Sequence, residues 1–257
     1  MVCNTLENAQ KEARYLEVLA GEPVAGAIVV PTQGHIAGIE HLRARHIPLV
    51  AVDQRVEDRS IDCVVIDNAA AREAVSHLIA NGYRRIGVIA GPRSVTNTNE
   101  RVAGISPGIA QRGHPPRCTL EQRGALVGED IGFHLTKKPL DLDPPVEAIF
   151  AANNRLTLGA LRTIYAQGKR VPDDVALAGF DEIQLAVPEV ISITAVLQSA
   201  YELGSAAANR LIQRLQKPDA PRQQIVLQHQ LSLGASSAPR PTAQVPSQEV
   251  ASKGINN

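Results

Sequence analysis

Val175-Ala176-Leu177-Ala178-Gly179-Phe180-Asp181 is the stretch from which the fold is read: an unbroken run of small and apolar residues that ends in a carboxylate. A continuous apolar run of this length marks a strand covered on both faces, as in a parallel sheet, where an amphipathic strand would alternate. The same signature recurs at Ala27-Ile28-Val29-Val30, Leu49-Val50-Ala51-Val52, Cys63-Val64-Val65-Ile66, Ile86 to Ala90, Ala148-Ile149-Phe150-Ala151 and Ile193 to Val196. Between these runs the apolar spacing is helical, over Leu6 to Ala20, Ile36 to Arg45, Ala70 to Asn81, Thr157 to Gln167 and Tyr201 to Gln216. Gly82 and Gly168 stand where a helix ends in a left-handed residue, and Pro172 and Pro218 where a helix cannot continue. Strands alternating with helices make an α/β protein with parallel sheets, wound twice, so two Rossmann-like lobes are expected.

At 257 residues with 44% hydrophobic content, the chain is long enough for two lobes, each with its own core. Lys plus Arg equals Asp plus Glu at 26 each, so the chain lacks the overall positive field by which a free-standing nucleic-acid binder attracts phosphates. Its three cysteines, Cys3, Cys63 and Cys118, are far apart and show no CxxC spacing, which speaks against a zinc site or a disulfide framework and fits a reducing cytoplasm. No apolar run reaches membrane-spanning length, and no cofactor is expected. Between Gly104 and Leu126 the pattern is weakest; only a helix near Gly108 to Arg112 and a strand near Thr119 are expected. From Ser236 to residue 257 the chain turns to Ala, Ser, Pro, Gln and Thr, a composition too poor in large apolar groups to drive ordering, and is expected to be disordered.

Segments in order along the chain resemble the ligand domain of LacI/GalR-type transcription regulators. They include Asn4-Thr5 with Lys11 to Leu16, Gly26 to Pro31, Ile47 to Asp53, Val64 to Asn68, and His77-Leu78 through Asn81-Gly82-Tyr83 to Ala90-Gly91-Pro92. The order continues with Glu100 to Gly104, Ala151 to Asn154 with Leu158 to Leu161, Val171-Pro172-Asp173-Asp174-Val175 with Gly179 to Glu182, and Gln198 with Tyr201 to Gly204. The resemblance implies a type I periplasmic-binding-protein-like domain with three crossovers and a sugar-like effector bound between the lobes. It divides the chain into a first lobe at 1–66 plus 197–228 and a second at 67–196 plus 229–235. It also implies a homodimer, or a mixed dimer with an intact relative, that meets DNA only through a headpiece absent from these residues, and no membrane partner.

Candidate binding residues follow from strand ends and from the resemblance. Asp181, Asn153 and Asp53 each close a strand at its carboxyl end, where parallel sheets bind ligands, and carboxylate and amide oxygens there can accept from hydroxyls. Each also suits a helix N-cap or a turn. Arg101 resembles the family's effector-clamping arginine; a surface pair with Glu100 is the bland reading, and Arg101→Ala is expected to remove binding while leaving the fold intact. Asn97 and Asn99 are expected on the loop leading to Arg101, Gln198 at the last crossover, and Asn154 as a helix cap. His35, His41 and His46 with Glu40 lack HExxH spacing and read as solvated surface.

The mixture of donors and acceptors points to a monosaccharide or similar polyol. A carbohydrate-acting enzyme using Asp53 and Asp181 as an acid and base pair stays open as an alternative, as does a cytoplasmic sugar-binding protein. No GxSxG, GxxxxGK[ST] or post-strand GxGxxG accompanies either. Finally, Asn4-Thr5 resembles the end of the family's second strand, so the first strand and helix are expected upstream of Met1. Their place is central in a 2-1-3-4-5 sheet, and unpaired neighbours cost roughly 1 to 3 kcal/mol per buried group. A truncated, poorly soluble product is the expectation.

Overall fold

The computed structural model describes residues 1–33, 36, 38–110, 120–183 and 191–240. It contains two sheets, of four and six strands. The first is ordered β1-β2-β3-β9, all parallel, from β1 (Ala27–Val29), β2 (Leu49–Val52), β3 (Asp62–Ile66) and β9 (Gln224–Leu227). The second is ordered β10-β8-β7-β6-β4-β5, from β4 (Ile86–Ala90), β5 (Leu120–Arg123), β6 (Ala148–Ala151), β7 (Ala176–Phe180), β8 (Thr194–Leu197) and β10 (Gln230–Ser232). Only β10 runs antiparallel, against β8. The chain passes between the sheets after β3, after β8 and after β9.

The apolar runs of the inner strands become strands because their two sets of alternating side chains bury into different layers; in β1, at the edge, Ile28 is exposed. Val50, Val52, Val64 and Ile66 face a core shared with Leu203 and Ala207 of α7 (Ala200–Gln216) and with α3 (Ala71–Ala80) and the second sheet. Leu49, Ala51, Cys63 and Val65 face the opposite way, onto Leu16 of α1 (Ala9–Gly21) and Ile39 and Leu42 of α2 (Ile39–Ala44). In the second sheet Ile89, Ile149 and Leu177 pack beneath α6 (Asn154–Ala166). The expected glycines at the helix ends hold: Gly82 has φ +94° and Gly168 φ +69°.

Several expectations are corrected. The helix expected from Leu6 begins at Ala9, because Leu6 and Glu7 are left-handed and Asn8 caps Lys11 N. The helix placed near Gly108 to Arg112 is the end of a longer one, α4 (Thr96–Ala110); Gln111 and Arg112 lie outside the described residues. Three elements had no expectation at all: α5 (Glu129–Leu140) and the strands β9 and β10. The tail does not lose order at Ser236. Ser236 and Ser237 are fully buried; Ser236 Oγ donates to Leu177 O at 2.6 Å, and Ser237 Oγ lies 2.6 Å from Thr194 Oγ1. Arg240 then pairs with Glu147 at 2.5 Å, and the remainder, 241–257, lies outside the described residues. Met1 to Thr5 forms no strand, and β1 is paired on one side, by β2.

Candidate functional site

Two aspartates occupy matching places in the two sheets. Asp53 follows β2 and donates its backbone N–H to Val64 O of the neighbouring strand at 2.9 Å; Asp181 follows β7 and does the same to Val196 O at 2.8 Å. Both are left-handed, with φ +69° and +71°. Aspartate tolerates that region better than most residues, but only at some cost, and such residues concentrate at binding sites. Each turn ends its strand and aims a carboxylate out of the sheet's carboxyl edge.

Arg101 lies between them on α4. It is 4% exposed, and its donors are taken up by three different parts of the chain. Nε donates to Asn68 Oδ1 at 2.9 Å, Nη1 to Ala152 O at 2.7 Å and to Asp181 Oδ2 at 3.3 Å, and Nη2 to Asp181 Oδ1 at 3.5 Å. Its plane stacks on Phe180, 3.7 Å from the ring centre, adding a cation–π contact. The surface pairing with Glu100 is not what forms: Glu100 takes Arg55 Nε at 2.7 Å and Asn68 Nδ2 at 2.9 Å. The expectation that Arg101 can be truncated without harm to the fold is therefore corrected, because its removal leaves the buried acceptors Asn68 Oδ1 and Ala152 O unpaired and Asp181 without its counter-ion.

Asn97 stands in the first turn of α4, one turn before Arg101 and on the same face, not on a loop. Its Nδ2 donates to Asp53 Oδ2 at 3.1 Å and its Oδ1 accepts from Asn68 Nδ2 at 3.1 Å, so it ties the first sheet's aspartate to the second lobe. Gln198, just past β8, donates to Asp181 Oδ1 at 2.6 Å. Asp53, Asn97, Arg101, Asp181 and Gln198 thus form one connected polar cluster, joined through Asn68, which sequence reading passed over. Its signal was present: Asn68 directly follows Asp67, whose side chain caps the short turn Asn68–Ala70, and so is placed where the chain first crosses between sheets.

Asn153 and Asn99 do not join this cluster. Asn153 is the N-cap of α6, its Oδ1 accepting from Leu156 N at 2.8 Å, which is the capping reading. The cap expected at Asn154 is corrected accordingly: Asn154 is already helical, and its Nδ2 reaches Glu182 O at 3.3 Å. Asn99, also on α4, donates to Arg93 O at 2.6 Å and accepts from Arg123 Nη1 at 2.9 Å, toward the end of β5. Among the described residues no group of His, Cys, Asp or Glu is arranged to hold a metal; His41 and His46 are exposed, and His35 lies outside the described residues.

Beside the cluster a cavity of about 430 Å³ opens outside the carboxyl ends of β6, β7 and β8, lined by Asn154, Leu158, Asp181, Glu182, Ile183 and Gln198. That is the size and position expected of a small-molecule site in a parallel sheet. Two acceptors of the cluster, Asp53 Oδ1 and Gln198 Oε1, are buried and have no partner. Burial pushes the Asp53 carboxyl above its ordinary 3.8; Arg101 pulls it back, Asp181 adds to the rise, and the Asn97 hydrogen bond opposes it.

Residues 75–237 match the family model of the periplasmic binding protein-like domain. The chain is 30% identical to the HTH-type transcriptional regulator PtxS of Pseudomonas plecoglossicida, over 92% of this chain and 68% of that protein. The chain belongs to the LacI/GalR family. Within it, the ribose operon repressor of Halalkalibacterium halodurans is 33% identical over 84% of this chain, which spans 63% of that relative's length; it spans 56% of a probable repressor ExuR of Bacillus subtilis. Among solved structures, a transcriptional regulator CelR–cellobiose complex matches with a TM-score of 0.79 and 30% identity, over 88% of this chain and 70% of that one. The LacI/GalR relatives named here are transcription regulators and repressors, and no described helix is long and apolar enough to cross a membrane.

Proposed function

We propose that this chain senses a sugar-like effector in the cleft between its two sheets, as the ligand domain of a transcription regulator. The observation that carries the reading is the cluster joining Asp53 to Asn97, Arg101, Asp181 and Gln198, built from both lobes at the carboxyl ends of both sheets and opening on the cavity. Oxygen and nitrogen groups so placed exchange hydrogen bonds with hydroxyls, and a ligand touching both lobes shifts the balance between open and closed forms by its differential affinity. The lobes are read as 1–66 with 197–228 and 67–196 with 229–235, the interlobe contacts Arg55–Glu100 and Asp53–Asn97 lying between them. Cellobiose in the CelR complex and the ribose operon named for the Halalkalibacterium relative support sugars as the ligand class. A cytoplasmic homodimer, or a mixed dimer with a relative carrying a headpiece, through which alone DNA is met, completes the reading.

Calorimetry and thermal melting against ribose, cellobiose, glucose, adenine and guanine test it. A sugar at 100 times its Kd should add about 2.7 kcal/mol to stability and be recovered unchanged. Stabilisation by the purines alone overturns the ligand class, and conversion of the sugar overturns the sensor.

A further inference from the structure

We infer that this cleft selects uncharged polyols and rejects anionic ones, phosphorylated or carboxylated sugars included, with Asp53 as the residue that sets the selection. The inference rests on the sugar-sensing reading above and adds the charge of the ligand.

An arginine in a ligand cleft ordinarily invites a carboxylate or phosphate through its paired N–H groups. Here that pair is already committed. Four of the five N–H bonds of the Arg101 guanidinium go to Asn68, to Ala152 O and twice to Asp181, and its flat face is covered by Phe180. Its charge is balanced by Asp181 inside the protein, and no pair of N–H groups is left to clamp an anion.

What the site leaves open are acceptors. Asp53 Oδ1 and Gln198 Oε1 are both buried without a partner, and a buried acceptor is satisfied only by a donor. A hydroxyl supplies one; a phosphate or carboxylate oxygen brings only further acceptors and negative charge. The surroundings point the same way. Asp181 and Glu182 are the charged residues among the described residues lining the cavity, and Asp53 and Asp181 both face Arg101. Arg55, the other arginine bonded into this region, is engaged by Glu100 at 2.7 Å.

Helix N-termini are the remaining feature that draws anions, and two open near the cavity. Both are capped from within: Asn153 Oδ1 takes Leu156 N at the start of α6, and Ser199 Oγ takes Glu202 N at the start of α7, whose first turn also carries the Glu202 carboxylate. A desolvated carboxylate facing a second negative charge, with no free counter-ion among the described residues of the cluster, is repelled far more strongly than in water.

Matched pairs of ligands test the selection by calorimetry on the whole chain: ribose with ribose 5-phosphate, and glucose with glucose 6-phosphate and gluconate. The neutral member of a pair that binds should bind at least about tenfold more tightly than its anionic partner, a difference near 1.4 kcal/mol. Asp53→Asn keeps the side-chain shape and tolerates the left-handed backbone; it should narrow the ratio several-fold. Glu182→Gln, an exposed position whose substitution does not burden the fold, should narrow it in the same direction and guards against an Asp53 variant that fails to fold. Equal or tighter binding of an anionic member to the unaltered chain overturns the charge selection while leaving the sugar reading in place. An unchanged ratio in both folded variants likewise overturns the role of these carboxylates. Binding of no sugar in any pair overturns the sugar reading itself, and the selection with it.

Discussion

Arg101 is held by Asn68, Ala152 O and Asp181 and stacked on Phe180, so at the level of single residues the proposed binding group is also part of the buried structure. Arg101→Ala is accordingly expected to lower stability by about 1 to 3 kcal/mol for each of the buried acceptors it strands, Asn68 Oδ1 and Ala152 O, together with any loss of binding. Urea unfolding measures it; a loss of affinity with stability unchanged would return Arg101 to the role of a free cleft side chain. Asp53 behaves oppositely. Its carboxyl is raised by burial, with Asp181 adding to the rise against Arg101 and Asn97, so in the folded state the charged form is the disfavoured one. The protein binds this proton more tightly folded than unfolded, and stability therefore falls as pH rises from 3.8 through the raised value. Asp53→Asn removes the penalty: the variant should be the more stable at neutral pH, and the two proteins should converge below 3.8, read from melts across a pH series. Asp53 and Asp181 were legible as strand-end carboxylates because the apolar runs stop just before them. Asn153 was equally placed by that logic, yet its oxygen is taken by the first turn of α6, a competition that strand position alone does not reveal.

Strands buried on both sides were legible, and two of the edge strands were not. β2, β3, β4, β6 and β7 are buried along their whole length and show as unbroken apolar runs. β9 alternates exposed and half-buried at a sheet edge, and β10 is polar, so neither carries that signal. The helix α5 escaped for another reason. Its buried face is Gly132, Thr136, Pro139 and Leu140, and it meets α6 through small residues rather than an apolar stripe. Thr163 Oγ1 of α6 donates to Phe133 O at 2.7 Å across the contact, which requires backbones this close. A Cβ on Gly159 would lie 2.1 Å from Glu129 O and 2.5 Å from Phe133 N. Gly159→Ala should therefore cost about 3 kcal/mol or more, because both obstacles are backbone. Gly204→Ala, in α7 with nothing within 4 Å of the added methyl, should instead stabilise by roughly 0.4 to 1 kcal/mol. Paired denaturation curves decide whether close packing or helix propensity governs these glycines.

For the whole molecule the relation of the two sheets rests on the apolar core they share, three chain crossings and a small set of side-chain contacts across the cleft. Among the described residues Arg55–Glu100 is the charged one, at 2.7 Å with both side chains about 31% exposed. Arg55→Ala should change stability by less than about 1 kcal/mol, as exposed pairs do, yet widen the unliganded cleft, seen as a larger radius of gyration in small-angle scattering that ligand reverses. An unchanged radius would assign lobe placement to the crossings and the shared core. The sequence by itself determined the winding, since continuous apolar runs separated by helical spacing admit parallel strands covered on both sides, and it determined which aspartates stand at strand ends. Which of those groups are free to meet a ligand was decided only in the folded molecule. Hydrogen-bond donors and acceptors are satisfied by whatever lies nearest in space, and the partners that engage Arg101 lie 33, 51 and 80 residues away along the chain.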